Sequence, residues 1–147
     1  MSKPAVDRAT ILHVHDTCLC FRAQRAARSL ARLFDEAMRP VGLTNGQFSL
    51  MMALNRAAPP TIGEVAELLA MDRTTLTASL KVLERRGLVA IAADAADRRS
   101  RRPRLTGDGR ALLAAAVPVW KVTHARLDAR LGADRTARLR ADLDAVR

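Results

Sequence analysis

Residues 61–109, TIGEVAELLA MDRTTLTASL KVLERRGLVA IAADAADRRS RRPRLTGDG, decide the fold. Thr61 and Glu64 have the Thr-x-x-Glu spacing in which the hydroxyl accepts from the third backbone amide and the Glu reaches back, so a helix starts here. Ile62, Val65, Ala66 and Leu69 give that helix one apolar face. Asp72 is an N-cap for a second helix, and Gly87 ends it as a C′ glycine. Along the second helix Leu76, Leu80 and Leu83 fall on one stripe, while Thr74, Thr77, Ala78, Lys81 and Arg85 fall on the other. The spacing predicts two short helices joined by a tight turn.

The outer stripe is not that of an ordinary solvated helix. Such faces favour Glu and Lys, whereas threonine is a mediocre helix former and its repetition asks for another use. Small hydroxyl and methyl groups suit close approach to base edges and phosphates in a major groove. Arg73 and Lys81 are placed to meet phosphates or guanine, with Thr74, Thr75 and Thr77 between them. A Thr-rich solvated helix is the plain alternative.

The segment after the second helix favours the nucleic-acid reading. Leu88 to Ala92 and Arg102 to Thr106 have the make-up of paired strands, and between them lie Asp97, Arg98, Arg99, Ser100 and Arg101. Five arginines from Arg98 to Arg104 stand against the single Asp97, a repulsion that a polyanion would neutralise. A helix-turn-helix with a basic hairpin after it is a winged helix, with the second helix for the major groove and the wing for the adjacent minor groove.

At these residues the sequence resembles the MarR family of bacterial transcriptional regulators. The wing signature, Asp-x-Arg and then Leu-Thr-x-x-Gly, stands as Asp97-Arg98-Arg99 and Leu105-Thr106-Gly107-Asp108-Gly109. The phrase MDRTTLTASLKVLERRGLV is also similar to the family's recognition helix, and the likeness in layout extends over nearly the whole chain. The resemblance implies that Asp97 orients Arg99 for the minor groove. It also implies a homodimer paired through N- and C-terminal helices, and repression as the commoner mode of regulation.

Length and charge agree. One hundred and forty-seven residues make a single domain with room for extra helices, and a net charge of +10 with a pI near 11.4 favours an anionic partner. The charge is spread, at +4 for residues 1–60, +3 for 61–107 and +3 for 108–147, so the wing is a local concentration of it. The N-terminus, MSKPAVDRAT, lacks the apolar core of an export signal, and the longest uncharged apolar run, Ala111 to Trp120, is far short of the roughly 20 residues of a membrane span. A cytoplasmic protein is expected. No Gly-rich phosphate loop, HExxH or nucleophile elbow is present, so the chain does not read as an enzyme and no cofactor is expected. With three Phe, one Trp and no Tyr there is little aromatic surface for stacking single-stranded bases, which weighs against a basic RNA-binding or architectural protein.

Outside the winged lobe, at about 44–106, the chain reads as helical. Leu19, Ala23, Ala26, Ala27, Leu30, Leu33, Phe34 and Ala37 predict one amphipathic helix from about Asp16 to Met38, ended by Pro40 and Gly42. Thr44 and Gln47 form a second capping box that opens a helix apolar on nearly every side. After the wing comes a long helix through Leu112, Val117, Trp120 and Leu131, which Pro118 should bend; Gly132 breaks it, and Leu139, Leu143 and Val146 mark a last one. The segments at about 10–40 and 107–147 thus carry apolar faces that pairing with a second copy would bury, placing two recognition helices on a palindromic duplex. The fold expected is mainly α with a small β-wing. A pocket for a small organic effector, such as an aromatic acid, is expected between the dimer helices and the DNA lobe.

One further cluster holds chemistry-bearing side chains: His13-Val14-His15-Asp16-Thr17-Cys18-Leu19-Cys20. Its ligand types suit zinc or copper, but two positions apart on a helix Cys18 and Cys20 point about 200° apart, so no metal site is expected. Leu19-Cys20-Phe21 resembles the organic hydroperoxide regulators of the same family, which implies a reactive thiol at Cys20. That branch holds its thiolate with tyrosine hydroxyls, which this chain lacks, and Cys20 shares a face with Ala27 and Phe34, as a small buried hydrophobe would.

Overall fold

Five of the helices start on a side-chain cap that the sequence supplies, and those caps set the order of elements. The structure, a computed structural model, describes residues 5–147. Positions 1–4 of the charged N-terminal stretch lie outside the described residues. The helices are α1 (Arg8–Thr17), α2 (Leu19–Met38), α3 (Asn45–Leu54), α4 (Ile62–Leu69), α5 (Arg73–Arg85), α6 (Gly107–Leu131) and α7 (Ala133–Asp144). Asp7, Thr44, Thr61, Asp72 and Thr106 each accept a backbone N–H at the start of α1, α3, α4, α5 and α6. Strands β1 (Val89–Ala93) and β2 (Arg101–Leu105) pair antiparallel in the register Val89 with Leu105 through Ala93 with Arg101.

The chain divides into two compact units, one running to Leu33 and the other Phe34–Arg147. In the first unit the single helix expected over 16–38 is two, because Cys18 is extended (φ −69°, ψ 109°) and interrupts them. Cys18 acts as a cap: its Sγ accepts the Phe21 N–H at 3.4 Å, while Arg22 reaches back to the Asp16 carbonyl at 2.9 Å. The chain is therefore helical from Arg8, ahead of the start expected at about Asp16, and the angle expected between Cys18 and Cys20 on one helix does not apply. Ile11, Leu12, Val14 and Leu19 lie on its surface, exposed by 49 to 76%.

The second unit holds the core. Met38, Met51, Leu76, Leu80, Leu83 and Ala116 are fully buried, with Phe34, Phe48, Leu54, Val65, Leu105 and Leu113 packed around them. Each such Leu contributes roughly 1.5–3 kcal/mol through burial, so the three leucines of α5 fix which face of that helix is left outward. As expected, α3 is buried on most sides, at Phe48, Leu50, Met51, Ala53 and Leu54, with Met52 left exposed. Helix α6 runs on through Pro118, and Gly132, at φ +90°, separates it from α7. Among the described residues no helix is long and apolar enough to cross a membrane.

Candidate nucleic-acid interface

Two helix stops aim α5. Helix α4 ends on Ala70 in the left-handed region (φ 51°), with Met71 N–H on the Ala66 carbonyl and Ala70 N–H on that of Glu67. Helix α5 ends the same way on Gly87 (φ 71°): Leu88 N–H meets the Leu83 carbonyl at 3.0 Å and Gly87 N–H that of Glu84 at 2.9 Å. Arg86, just beyond α5, donates to the Gly42 carbonyl at 2.8 Å and to Gln47 Oε1 at 3.3 Å, tying the far end of α5 to the start of α3. Nothing in the sequence pattern marks that contact, which spans 44 positions.

With α5 held by its leucines, Arg73, Thr74, Thr75, Ala78, Lys81 and Arg85 are exposed and Thr77 is half-buried. Their availability differs. The Thr75 hydroxyl donates to Asp72 Oδ2 at 2.7 Å and its N–H to Oδ1 at 2.8 Å, so Thr75 completes the cap, and these bonds hold the Asp72 carboxyl below its ordinary pKa. The Arg73 guanidinium lies over Gly63 of α4, where a Cβ would sit 2.9 Å from its nitrogen. Thr74 and Lys81 make no hydrogen bond or ion pair through their side chains among the described residues.

The hairpin matches the expected strands to within one residue and turns over residues 94–100. Asp97 accepts the Arg99 backbone N–H on its carboxylate at 3.0 Å, and its carbonyl accepts from Ser100 N–H at 2.9 Å. Its action on Arg99 is thus through the backbone. Arg98, Arg99 and Arg101 at the tip and Arg104 on β2 are exposed and enter none of the ion pairs among the described residues. Arg102, one of the five arginines counted against Asp97, is already engaged within the protein, since it donates to Asp94 Oδ2 at 2.7 Å and to the Pro59 carbonyl at 2.7 Å. The Ala96 N–H and then Arg102 lower the Asp94 pKa.

At the base of the hairpin, the Leu-Thr-x-x-Gly signature acquires a physical meaning. The Thr106 hydroxyl donates to the Gly87 carbonyl at 2.7 Å and accepts the Gly109 N–H at 3.0 Å, while Thr106 N–H meets the Leu88 carbonyl. Gly109 is buried, and a Cβ there would overlap the Leu88 carbonyl oxygen. The end of α5, the start of β1 and the start of α6 are thereby locked in one joint.

Behind this face, within the second unit, an open cavity of about 560 Å³ lies between α3, α4 and α6. Phe48, Met52, Leu68, Leu69 and Trp120 make it apolar, and Lys121 stands at its rim. Trp120 stacks on Phe48 with centroids 6.4 Å apart, and one turn further His124 lies 4.8 Å from the indole and 3.2 Å from Asp128 Oδ2. In the first unit Cys20 is exposed, contrary to its reading as a buried hydrophobe, with Gln24 Nε2 at 3.3 Å from its sulfur. Among the described residues no group of three His, Cys, Asp or Glu side chains is arranged to hold a metal ion.

Known proteins share this architecture. A profile described as MarR family matches residues 41–100. The M. tuberculosis transcriptional regulator MosR, solved in complex with DNA, is 41% identical, with a TM-score of 0.80 over 88% of this chain and 92% of that one. CouR, a transcriptional repressor bound to a 23-mer DNA duplex, is 32% identical, with a TM-score of 0.81 over 90% of this chain and 94% of that one. BadR of Rhodopseudomonas palustris, a transcriptional activatory protein, is 36% identical over 107 residues, which make 71% of this chain and 57% of that protein. The match therefore spans little more than half the length of BadR.

Proposed function

This chain belongs to the MarR family, and we propose that it is a cytoplasmic homodimer that binds a palindromic DNA duplex and represses transcription until a small organic effector releases it. One observation carries the reading: the outward face of α5 and the hairpin tip present Thr74, Lys81, Arg98, Arg99 and Arg101 with no carboxylate of the described residues paired to any of them. In this reading α5 lies in the major groove, with Thr77 and Lys81 toward base edges. The tip reaches the minor groove or its phosphates, and Arg73 leaves Gly63 to meet the backbone. That MosR and CouR, which share this fold, were solved bound to DNA supports a duplex-binding role. An RNA-stacking surface is poorly supported, because Phe34 and Phe48 are only 6% exposed and Phe21 alone of the three phenylalanines reaches the surface.

The dimer rests on the unpaired apolar side chains near both chain ends. Ile11, Leu12, Val14 and Leu19 in the first unit, and Val122, Leu139, Leu143 and Val146 in the second, are exposed by 44 to 79%. A two-fold pairing that buries them would set two α5 helices about one DNA turn apart. For the effector, the apolar cavity with Lys121 at its rim suits an aromatic carboxylate, the ring against Trp120 and Met52 and the acid toward the ammonium. A thiol switch at Cys20 is the second reading, favoured by the exposure of that sulfur.

The test is selection of genomic duplex fragments by the purified protein, with footprinting and release of the recovered complexes. Recovery of a palindrome protected on two successive turns, released by aromatic carboxylates from wild type and less readily from Lys121→Met, is the expected result. Equal retention of single-stranded RNA would refute the duplex reading. Release by an organic hydroperoxide from wild type but not from Cys20→Ser would replace the effector with the thiol.

A further inference from the structure

Arg102 sits in a run of arginines and is used differently from all of them. Its Nε donates to Asp94 Oδ2 and its Nη1 to the Pro59 carbonyl, both at 2.7 Å, so one planar fork bridges two segments, with Pro59 43 positions away in sequence. Asp94 is the residue after β1, and its side chain is only 14% exposed. The same residue organises the tip: its second carboxylate oxygen accepts the Ala96 N–H at 3.0 Å, and its own N–H meets the Ser100 carbonyl at 2.9 Å. On the other side, Pro59 and Pro60 lead into the Thr61 cap of α4, and their fixed φ angles make this a stiff anchor. A two-stranded hairpin is marginal alone, and its tilt depends on what it is fastened to.

We propose that Arg102 is a positioning residue: together with Asp94 and the Pro59 carbonyl it fixes the inclination of the wing against α4, and it gives no charge to the DNA. This inference rests on the duplex-binding reading above. It carries a consequence opposite in sign to simple electrostatics. Removing an acidic group from a basic wing strengthens its attraction to a polyanion if charge alone matters, whereas here loss of Asp94 frees the wing and weakens binding.

The experiment compares Asp94→Asn, Arg102→Gln, Arg102→Lys and the Asp94→Asn/Arg102→Gln pair with wild type and Arg99→Ala, measuring duplex affinity across a salt series. Asparagine keeps the oxygen that accepts from Ala96, so the tip turn survives while the pairing with Arg102 is lost. Each single variant at 94 or 102 is expected to bind roughly tenfold more weakly, and the double no more weakly than either, as for two members of one interaction. All keep the wild-type salt slope, while Arg99→Ala lowers it by about 0.9 per arginine removed. Trypsin cleavage after Arg98, Arg99 and Arg101 is expected to quicken in the 94 and 102 variants with the melting temperature of the whole unchanged. Binding by Asp94→Asn as tight as wild type or tighter, restoration by Arg102→Lys, or a reduced slope in Arg102→Gln would overturn the proposal. Should wild type bind no duplex, the functional reading fails, and the cleavage rates still judge the clamp, since equal rates would overturn it.

Discussion

At the base of the hairpin, Thr106 uses its hydroxyl twice and Gly109 lies where a side chain does not fit. At the tip, Arg98, Arg99 and Arg101 engage no carboxylate among the described residues. The base is spent on the protein and the tip is left for something else. The same division runs through the helix-turn-helix, where Asp72, Thr75 and Arg86 are bonded inward while Thr74 and Lys81 point out with their polar groups unspent. The contrast teaches that residue type does not assign a role here. Arg86 and Arg102 are joints, Arg99 is offered surface, and only the identity of the bonded partner separates them. Variants of the joint should act on the fold, through the hold on the hairpin at Arg102 and through overall stability at Gly109, and leave the salt slope alone. Variants of the surface should move the salt slope and leave the fold alone.

The largest effect expected belongs to the surface. If the two wings and recognition helices of a dimer neutralise about 6–10 phosphates, affinity should fall by roughly 10³ to 10⁵ between about 50 and 200 mM salt. Arg99→Ala should flatten this dependence with an unaltered melting curve. An affinity that hardly responds to salt would mean the tip arginines meet no phosphate, and the division between base and tip would lose its functional half.

Next in size is a change at the joint. Gly109→Ala drives a methyl group into the Leu88 carbonyl, which is backbone and has no rotamer to escape into, so the start of α6 must shift away from β1. A cost of about 3 kcal/mol or more is expected in urea unfolding, at the upper end for overpacking. An unfolding midpoint like that of wild type would show that the base is not the tight joint described.

Thr77→Ala tests whether the surface of α5 reads sequence or merely lies on phosphates. Thr77 is half-buried beside Lys81, one turn on. Its loss should alter preference among operator variants by roughly 1–3 kcal/mol, measured by competition between duplexes. Uniform weakening across all sequences would move Thr77 from readout to backbone contact.

How far these roles are legible in sequence depends on the range of the interaction. Thr44 with Gln47, Thr61 with Glu64, and Asp72 with Thr75 are bonds over three positions, and each capping pattern predicts its helix start. The β1–β2 pairing is local too, and its strands lie one residue from the segments expected on either side of the basic tip. Arg102 with Pro59 and Arg86 with Gly42 cross 43 and 44 positions, and an arginine in a basic run carries no mark of such a partner. Helix α1 is hidden for another reason. Its apolar residues Ile11, Leu12 and Val14 are about half exposed, so it has no single buried stripe to announce it, and the break at Cys18 uses a sulfur cap rather than Pro or Gly.

The smallest effect expected concerns the two helix stops that aim α5. Both need a residue in the left-handed region; the stop after α5 has Gly87, but the stop after α4 has Ala70 at φ 51° and ψ 42°. A Cβ in that conformation crowds the carbonyl next to it, at a cost of roughly 1–2 kcal/mol, whereas glycine meets no such penalty but gives up more freedom on folding, worth roughly 0.5–1 kcal/mol. The difference predicts that Ala70→Gly stabilises the protein by about 0.5–1 kcal/mol, the rare case in which adding a glycine raises the melting temperature. Because Ala70 belongs to the joint and its backbone bonds to Ala66 and Glu67 use main-chain atoms alone, duplex affinity and salt slope should stay as in wild type. A lower melting temperature for Ala70→Gly would mean that the Ala70 methyl group contributes more by packing than it costs by strain. A changed salt slope would mean that the turn between α4 and α5 is part of the surface, and the boundary between joint and surface would have to be redrawn there.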